Sequence, residues 1–174
     1  TLRRSSAASD VYKRQGHCAK AIADACKPLD WNFSVQDSRA EYATLDGAKE
    51  THHSCPSDFL AQESQETLSR FSDILLLGHD WKEDEERLIG LLKLQYQGRL
   101  GVIGSKSKWN AFTKIALESG ISSETLSSVN CPIGLDIGAE SPEEIAIAVL
   151  AEILASHKGI CLLYTSDAAD DRLS

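Results

Sequence analysis

Four short segments carry residue types that could hold an anionic, phosphate-bearing ligand. The first is Gly16-His17-Cys18-Ala19, where a helix is expected to open. It fits the second half of the dinucleotide fingerprint G-x-G-x-x-G/A: Gly16 would let backbone approach a pyrophosphate, and Ala19 would allow close helix–strand packing. Asp37 lies 21 positions beyond Gly16, at the end of an expected strand, where a carboxylate can hydrogen-bond ribose hydroxyls. The second is Gly78-His79-Asp80, also at a strand's carboxyl end. Open α/β sheets bind ligands at that edge, and His79 could shuttle a proton near neutral pH.

The third segment, Gly104-Ser105-Lys106-Ser107-Lys108, follows an expected strand and starts a helix. Free backbone N–H groups, a hydroxyl and two ammonium groups converge there, which suits an anion. The plain alternative is a capped helix with solvated lysines. The fourth is the loop 131–139, Cys131-Pro132-Ile133-Gly134-Leu135-Asp136-Ile137-Gly138-Ala139. Gly134 and Gly138 would let it pass close to a ligand, and Asp136 is expected to knit the loop by accepting backbone N–H bonds. His52 and His53 have no evident partners and are expected at the surface, as is the charged run 82–87.

The elements that would position these groups follow from periodicity. Residues 19–26 have helical spacing and end before Pro28; residues 31–36 alternate as a strand; residues 38–63 read as a long connection. Residues 64–71 suit a short helix, and 73–77 and 100–103 suit buried parallel strands. Asp80 is expected to cap a helix reaching about Gln97, Ser105 a helix ended by Gly120, and Ser141 a helix ending near Lys158. Ser141-Pro142-Glu143-Glu144 is a complete capping box. Strands alternating with helices predict an α/β fold with a mostly parallel sheet and helices on both faces.

The net charge of −8 argues against a nucleic-acid partner, and no apolar run is long enough to span a membrane. Five scattered cysteines without metal-ligand spacing read as reduced thiols in a cytoplasmic protein, and no metal site is expected. The ends are expected to be foreign to the domain. Ser5 to Gln15 and Cys161 to Asp170 can be written as opposite-strand translations of one DNA sequence, which resembles a sequencing-library transposase adapter. The expected organisation is therefore an adapter-derived tail at 1–15, a domain at 16–160 and a second such tail at 161–174. The domain alone carries 13 basic and 22 acidic residues, so it stays acidic. On this reading the first strand of the sheet is lost or replaced by residues 10–15, which are too charged to be buried on both faces.

Gly16-His17, Asp37-x-Arg39-x-Glu41, His79-Asp80, Ile103-Gly104-Ser105-Lys106-x-Lys108 and the string running from Pro132 through Gly134, Asp136 and Gly138 to Ala146 resemble the C-terminal Rossmann domain of the XdhC/CoxI family. Cys18 departs from the Val often found there. The resemblance implies a cytoplasmic, non-catalytic accessory factor for maturation of a molybdenum hydroxylase such as xanthine dehydrogenase. It further implies binding of molybdenum cofactor (molybdopterin) for insertion into the apoenzyme. A cysteine desulfurase and a second copy in a homodimer are possible partners on the same basis. The half-fingerprint with Asp37 leaves an NAD(P)-dependent oxidoreductase as the alternative.

Overall fold

Two apolar runs too short for helices become strands in the computed structural model, which describes residues 9–78 and 80–160 and only the backbone of 9–15. Strand β3 (Asp73–Leu76) pairs in parallel with β4 (Arg99–Val102), Leu76 opposite Val102. Residues 130–133 extend this pair beyond β4: Val102 donates its N–H to the Asn130 carbonyl, and Ile133 donates to the Val102 carbonyl. A second parallel pair joins β1 (Val35–Asp37) to β2 (Thr51–His53). The expected strand over 31–36 is thus shorter and shifted to Val35–Asp37. The connection 38–63 contains β2 and a helix, α2 (Pro56–Ala61), which weak periodicity concealed.

Helices cover both faces. A long α1 (Ser9–Cys26) packs along α7 (Pro142–His157). On the opposite face lie α3 (Gln65–Leu68), α4 (Trp81–Lys93), α5 (Lys106–Glu118) and α6 (Ser123–Ser127). The side chains of β3 alternate between these layers, as a strand's must. Leu76 joins Leu88, Leu91, Phe112 and Val102 in one core, while Leu75 and Leu77 pack against Ile22, Val149 and Ile153 in the other.

The expected helix starts are present. Asp80 accepts the N–H groups of Lys82 and Glu83, and Ser105 accepts that of Lys108. Ser141 and Glu144 exchange the two bonds of a capping box at 3.0 and 3.1 Å. Gly120, at φ +86°, closes α5 with paired bonds from Ile121 to Ala116 and from Gly120 to Leu117. Two boundaries differ from expectation. The fourth helix stops at Lys93, well before Gly98, because Gln95 enters the left-handed region at φ 55°. Helix α1 does not open at Gly16; it runs from Ser9, so residues 9–15 are helical and supply no strand.

The two strand pairs lie side by side, with like ends together. At the carboxyl ends, Ser38 donates to Glu83 at 2.7 Å, and Arg87 donates to the Gln36 side-chain oxygen at 2.8 Å. At the amino ends, the His157 ring lies 5.8 Å from that of Trp31 and 2.9 Å from the Asp73 carboxylate. No backbone pairing joins β1 to β3 among the described residues, so the expected run of neighbouring strands is interrupted. Between them lies a cavity of about 700 Å³ walled by strand edges on two sides and helices on the other two.

Candidate functional site

Parallel pairing sends every strand end towards one edge. Asp37 ends β1, Gly78 follows β3, Gly104 follows β4, and Gly134 leaves the extended segment at 130–133. A buried ionic chain underlies this edge. Lys108 Nζ donates to Asp84 at 2.7 Å and to the Ile103 carbonyl at 3.1 Å. The other Asp84 oxygen lies 3.4 Å from Arg87, which also pairs with Glu83 at 2.9 Å. Asp84 and Lys108 side chains are 1% and 4% exposed.

This chain explains two of the glycines. A Cβ on Gly78 would fall 2.0 Å from an Asp84 oxygen, and one on Gly104 would fall 2.6 Å from the Lys108 stem. Both turns therefore close onto the ion pair. The expected surface run 82–87 is corrected here, because Asp84 points inward. Its position was legible: residues 84, 88, 91 and 92 share one helical face, as do 108, 112 and 116. Opposite charges on the buried stripes of two neighbouring helices are the signal that composition alone hid. Lys108 likewise is not free to meet a bound phosphate, because its ammonium is spent on the Asp84 carboxylate.

The predicted site residues fall into three places. Gly16 and Asp37 line the central cavity. Gly16 is buried inside α1 against the Tyr42 ring, so its N–H belongs to the helix ladder and is no helix-start donor. His17 is exposed on α1. Gly104, Ser105 and Lys106 open α5, where Lys106 is exposed. Gly134, at φ +111°, packs on Ala148 and Val149 of α7, and Glu152 accepts its N–H. Asp136 and Gly138 lie exposed in the loop, and the Asp136 carboxylate accepts no hydrogen bond among the described residues, so it does not knit the loop as expected. His79 lies outside the described residues.

Asp37 is held by a residue close to it in the chain. Arg39 donates its side chain to both carboxylate oxygens at 3.0 and 2.9 Å, and its backbone N–H at 2.9 Å. Burial alone would raise the Asp37 pKa, but these bonds and the nearby Arg87 charge overcome it and hold the carboxyl below its ordinary value. A depressed carboxylate contributes stability that is fully present above the unfolded value, about 3.9. That contribution is lost as pH falls through the lower folded value. Urea midpoints of Asp37→Asn should therefore lie below those of the parent at pH 6 and converge with them towards pH 2. A constant gap over this range would contradict the assignment. The Cys26 and Cys131 thiols are pushed up by burial, which keeps them protonated at neutral pH.

Among the described residues, no group of three or more His, Cys, Asp or Glu is arranged to hold a metal ion. Nor is any helix there long and apolar enough to cross a membrane.

Comparison with known proteins gives a consistent result. The XdhC Rossmann domain family matches residues 14–153. The chain is 30% identical over 139 residues to the uncharacterized protein YqeB of Escherichia coli (strain K12), covering 80% of this chain and 25% of YqeB. It is 34% identical over 85 residues to a probable xanthine dehydrogenase subunit of Bacillus subtilis (strain 168), covering 49% of this chain and 23% of that one. A crystal structure described as a xanthine dehydrogenase from Bacillus halodurans superposes with a TM-score of 0.67 at 23% identity, over 87% of this chain and 43% of that one. The last likeness establishes the fold. The chain spans about a quarter of the length of the curated relatives it matches.

Proposed function

The chain belongs to the XdhC family through its Rossmann domain, and on that premise we propose that it is the ligand-holding part of a maturation factor for a molybdenum hydroxylase. In this reading it binds molybdenum cofactor, or a related phosphate-bearing ligand, without turning it over, for insertion into a xanthine dehydrogenase-like apoenzyme. A cysteine desulfurase is the companion that would install the cofactor's sulfido ligand. The place of action would be the cytoplasm.

The observation that carries the reading is the start of α5. Ser105 takes only the Lys108 N–H, leaving those of Lys106 and Ser107 without an acceptor among the described residues. The exposed Lys106 ammonium stands beside them, so a phosphate would meet two backbone donors, a helix dipole and a charge. These residues fit a phosphate. The Gly16 segment does not, because its N–H groups lie inside α1. The arrangement supports one phosphate cradle rather than the two expected.

A bound molybdenum cofactor would supply the metal and its sulfido chemistry; this chain's residues would bind and orient it through its phosphate. Lys106→Ala should weaken binding of purified molybdenum cofactor about fivefold, or about 1 kcal/mol, as for a partly exposed charge-assisted contact. Unchanged affinity would move the ligand away from α5. NADPH titrated in parallel tests the alternative oxidoreductase reading: tight NADPH binding with turnover would replace the maturation-factor reading. Asp37 is already engaged by Arg39 and is a poor free acceptor for a ribose hydroxyl.

A further inference from the structure

Helix α7 is apolar on more than its buried side. Ala146, Val149, Leu150 and Ile153 face the core, yet Ile147 is 62% exposed and Leu154 37%, with Ala151 half-buried between them. At about 100° per residue, positions 147, 151 and 154 fall on one stripe, which Glu143 and Lys158 extend by a turn at either end. Glu143 and Lys158 are exposed, and neither side chain has an ionic partner among the described residues. None of these five residues lines the central cavity, so the stripe is independent of whatever fills it.

We propose that this stripe is the contact surface for a second copy of the chain, with the two α7 helices antiparallel about a two-fold axis near Ala151.

The order of residues along the stripe selects both the occupant and its direction. A two-fold contact is isologous: if one residue meets another of the second copy, the reverse contact forms as well. Glu143 stands four positions before Ile147, and Lys158 stands four after Leu154, so both pairs share one midpoint between Leu150 and Ala151. A single antiparallel register therefore sets Ile147 against Leu154 of the second copy and Glu143 against its Lys158. A parallel pair would set each charge against its own kind. At the midpoint the small Ala151 side chain lets the two helix axes approach closely. The end charges also suit the dipole of α7 itself. That accounts for an acid and a base at the two ends, but not for large apolar side chains turned to solvent between them. An apolar centre with charged ends is the layout of a helix–helix contact. A stripe along one helix buries less than a standard interface of about 1,600 Å², so the association is weak and concentration-dependent.

Sedimentation equilibrium of the full chain, over a wide range of concentration, should show reversible dimerisation. Ala151→Glu sets two carboxylates against each other at the axis. It should weaken dimerisation at least about tenfold, while the far-ultraviolet circular dichroism stays that of the parent. Glu143→Lys and Lys158→Glu should each weaken it several-fold, because symmetry breaks two ion pairs at once, and the double reversal should restore it. A role confined to the helix dipole predicts the opposite, with the double reversal the worst of the three. A monomer at every concentration would overturn the proposal and leave the stripe to a different protein. So would dimerisation that Ala151→Glu does not touch, or a double reversal no better than either single one.

Discussion

Replacing Lys108 by alanine is expected to destabilise the protein by about 3 kcal/mol or more, because it strands a buried carboxylate. Asp84 would keep only the more distant Arg87 contact at 3.4 Å, in a site where its side chain is 1% exposed. The loss should appear as a fall in melting temperature of roughly 6–12 °C for a chain of this length. The effect comes from the unpaired charge rather than from any large net strength of the pair. Replacing both partners with apolar groups of similar size, Asp84→Leu with Lys108→Met, should therefore recover most of the stability. Lys106→Ala, two residues away but exposed, should stay within about 0.5 kcal/mol of the parent. A double variant no better than Lys108→Ala would show that the ion pair itself positions the Gly78 and Gly104 turns.

The second large effect is expected at Glu152. Its buried carboxylate pairs with Arg99 at the start of β4, accepts from Asn130 at 3.0 Å and accepts the Gly134 N–H. One side chain on α7 thus ties together a strand, its extension and the loop at 131–139. Glu152→Ala would leave the Arg99 guanidinium buried without its partner, and Arg99 Nε already lacks one. A loss of about 3 kcal/mol is expected, on the same physical ground as for Lys108. The loop gives a second readout: the Gly134 amide should exchange faster in the variant, while amides in the β3–β4 ladder keep their order of protection. Stability within about 0.5 kcal/mol of the parent would mean that Gly134 is held by its packing on Ala148 and Val149 alone.

The binding role expected for the loop glycines changes accordingly. Gly134 is required where the backbone turns at φ +111° against α7, a conformation that L side chains rarely adopt. That is a packing and conformational reason, sufficient without any ligand.

Local chemistry determined much of this protein from sequence. The caps at Asp80, Ser105 and Ser141, the stop at Gly120 and the buried strands ending near Leu77 and Ile103 all depend on neighbours within a few residues. Short-range hydrogen bonds and short apolar runs make such features readable along the chain. The α/β class followed from their alternation, and the strings around Gly104 and Gly134 carried the family resemblance. Other features needed the folded molecule. That Asp84 and Lys108 neutralise each other depends on two helices meeting across 24 positions of sequence. That Arg87 reaches the side chain of Gln36 on β1 depends on α4 packing beside that strand, 51 positions away in sequence. Above all, the edges of β1 and β3 that face the cavity are paired by no described residue, which no strand's own sequence could show. Each strand's periodicity records which faces are buried. Only the tertiary structure decides whether its edges find a neighbour.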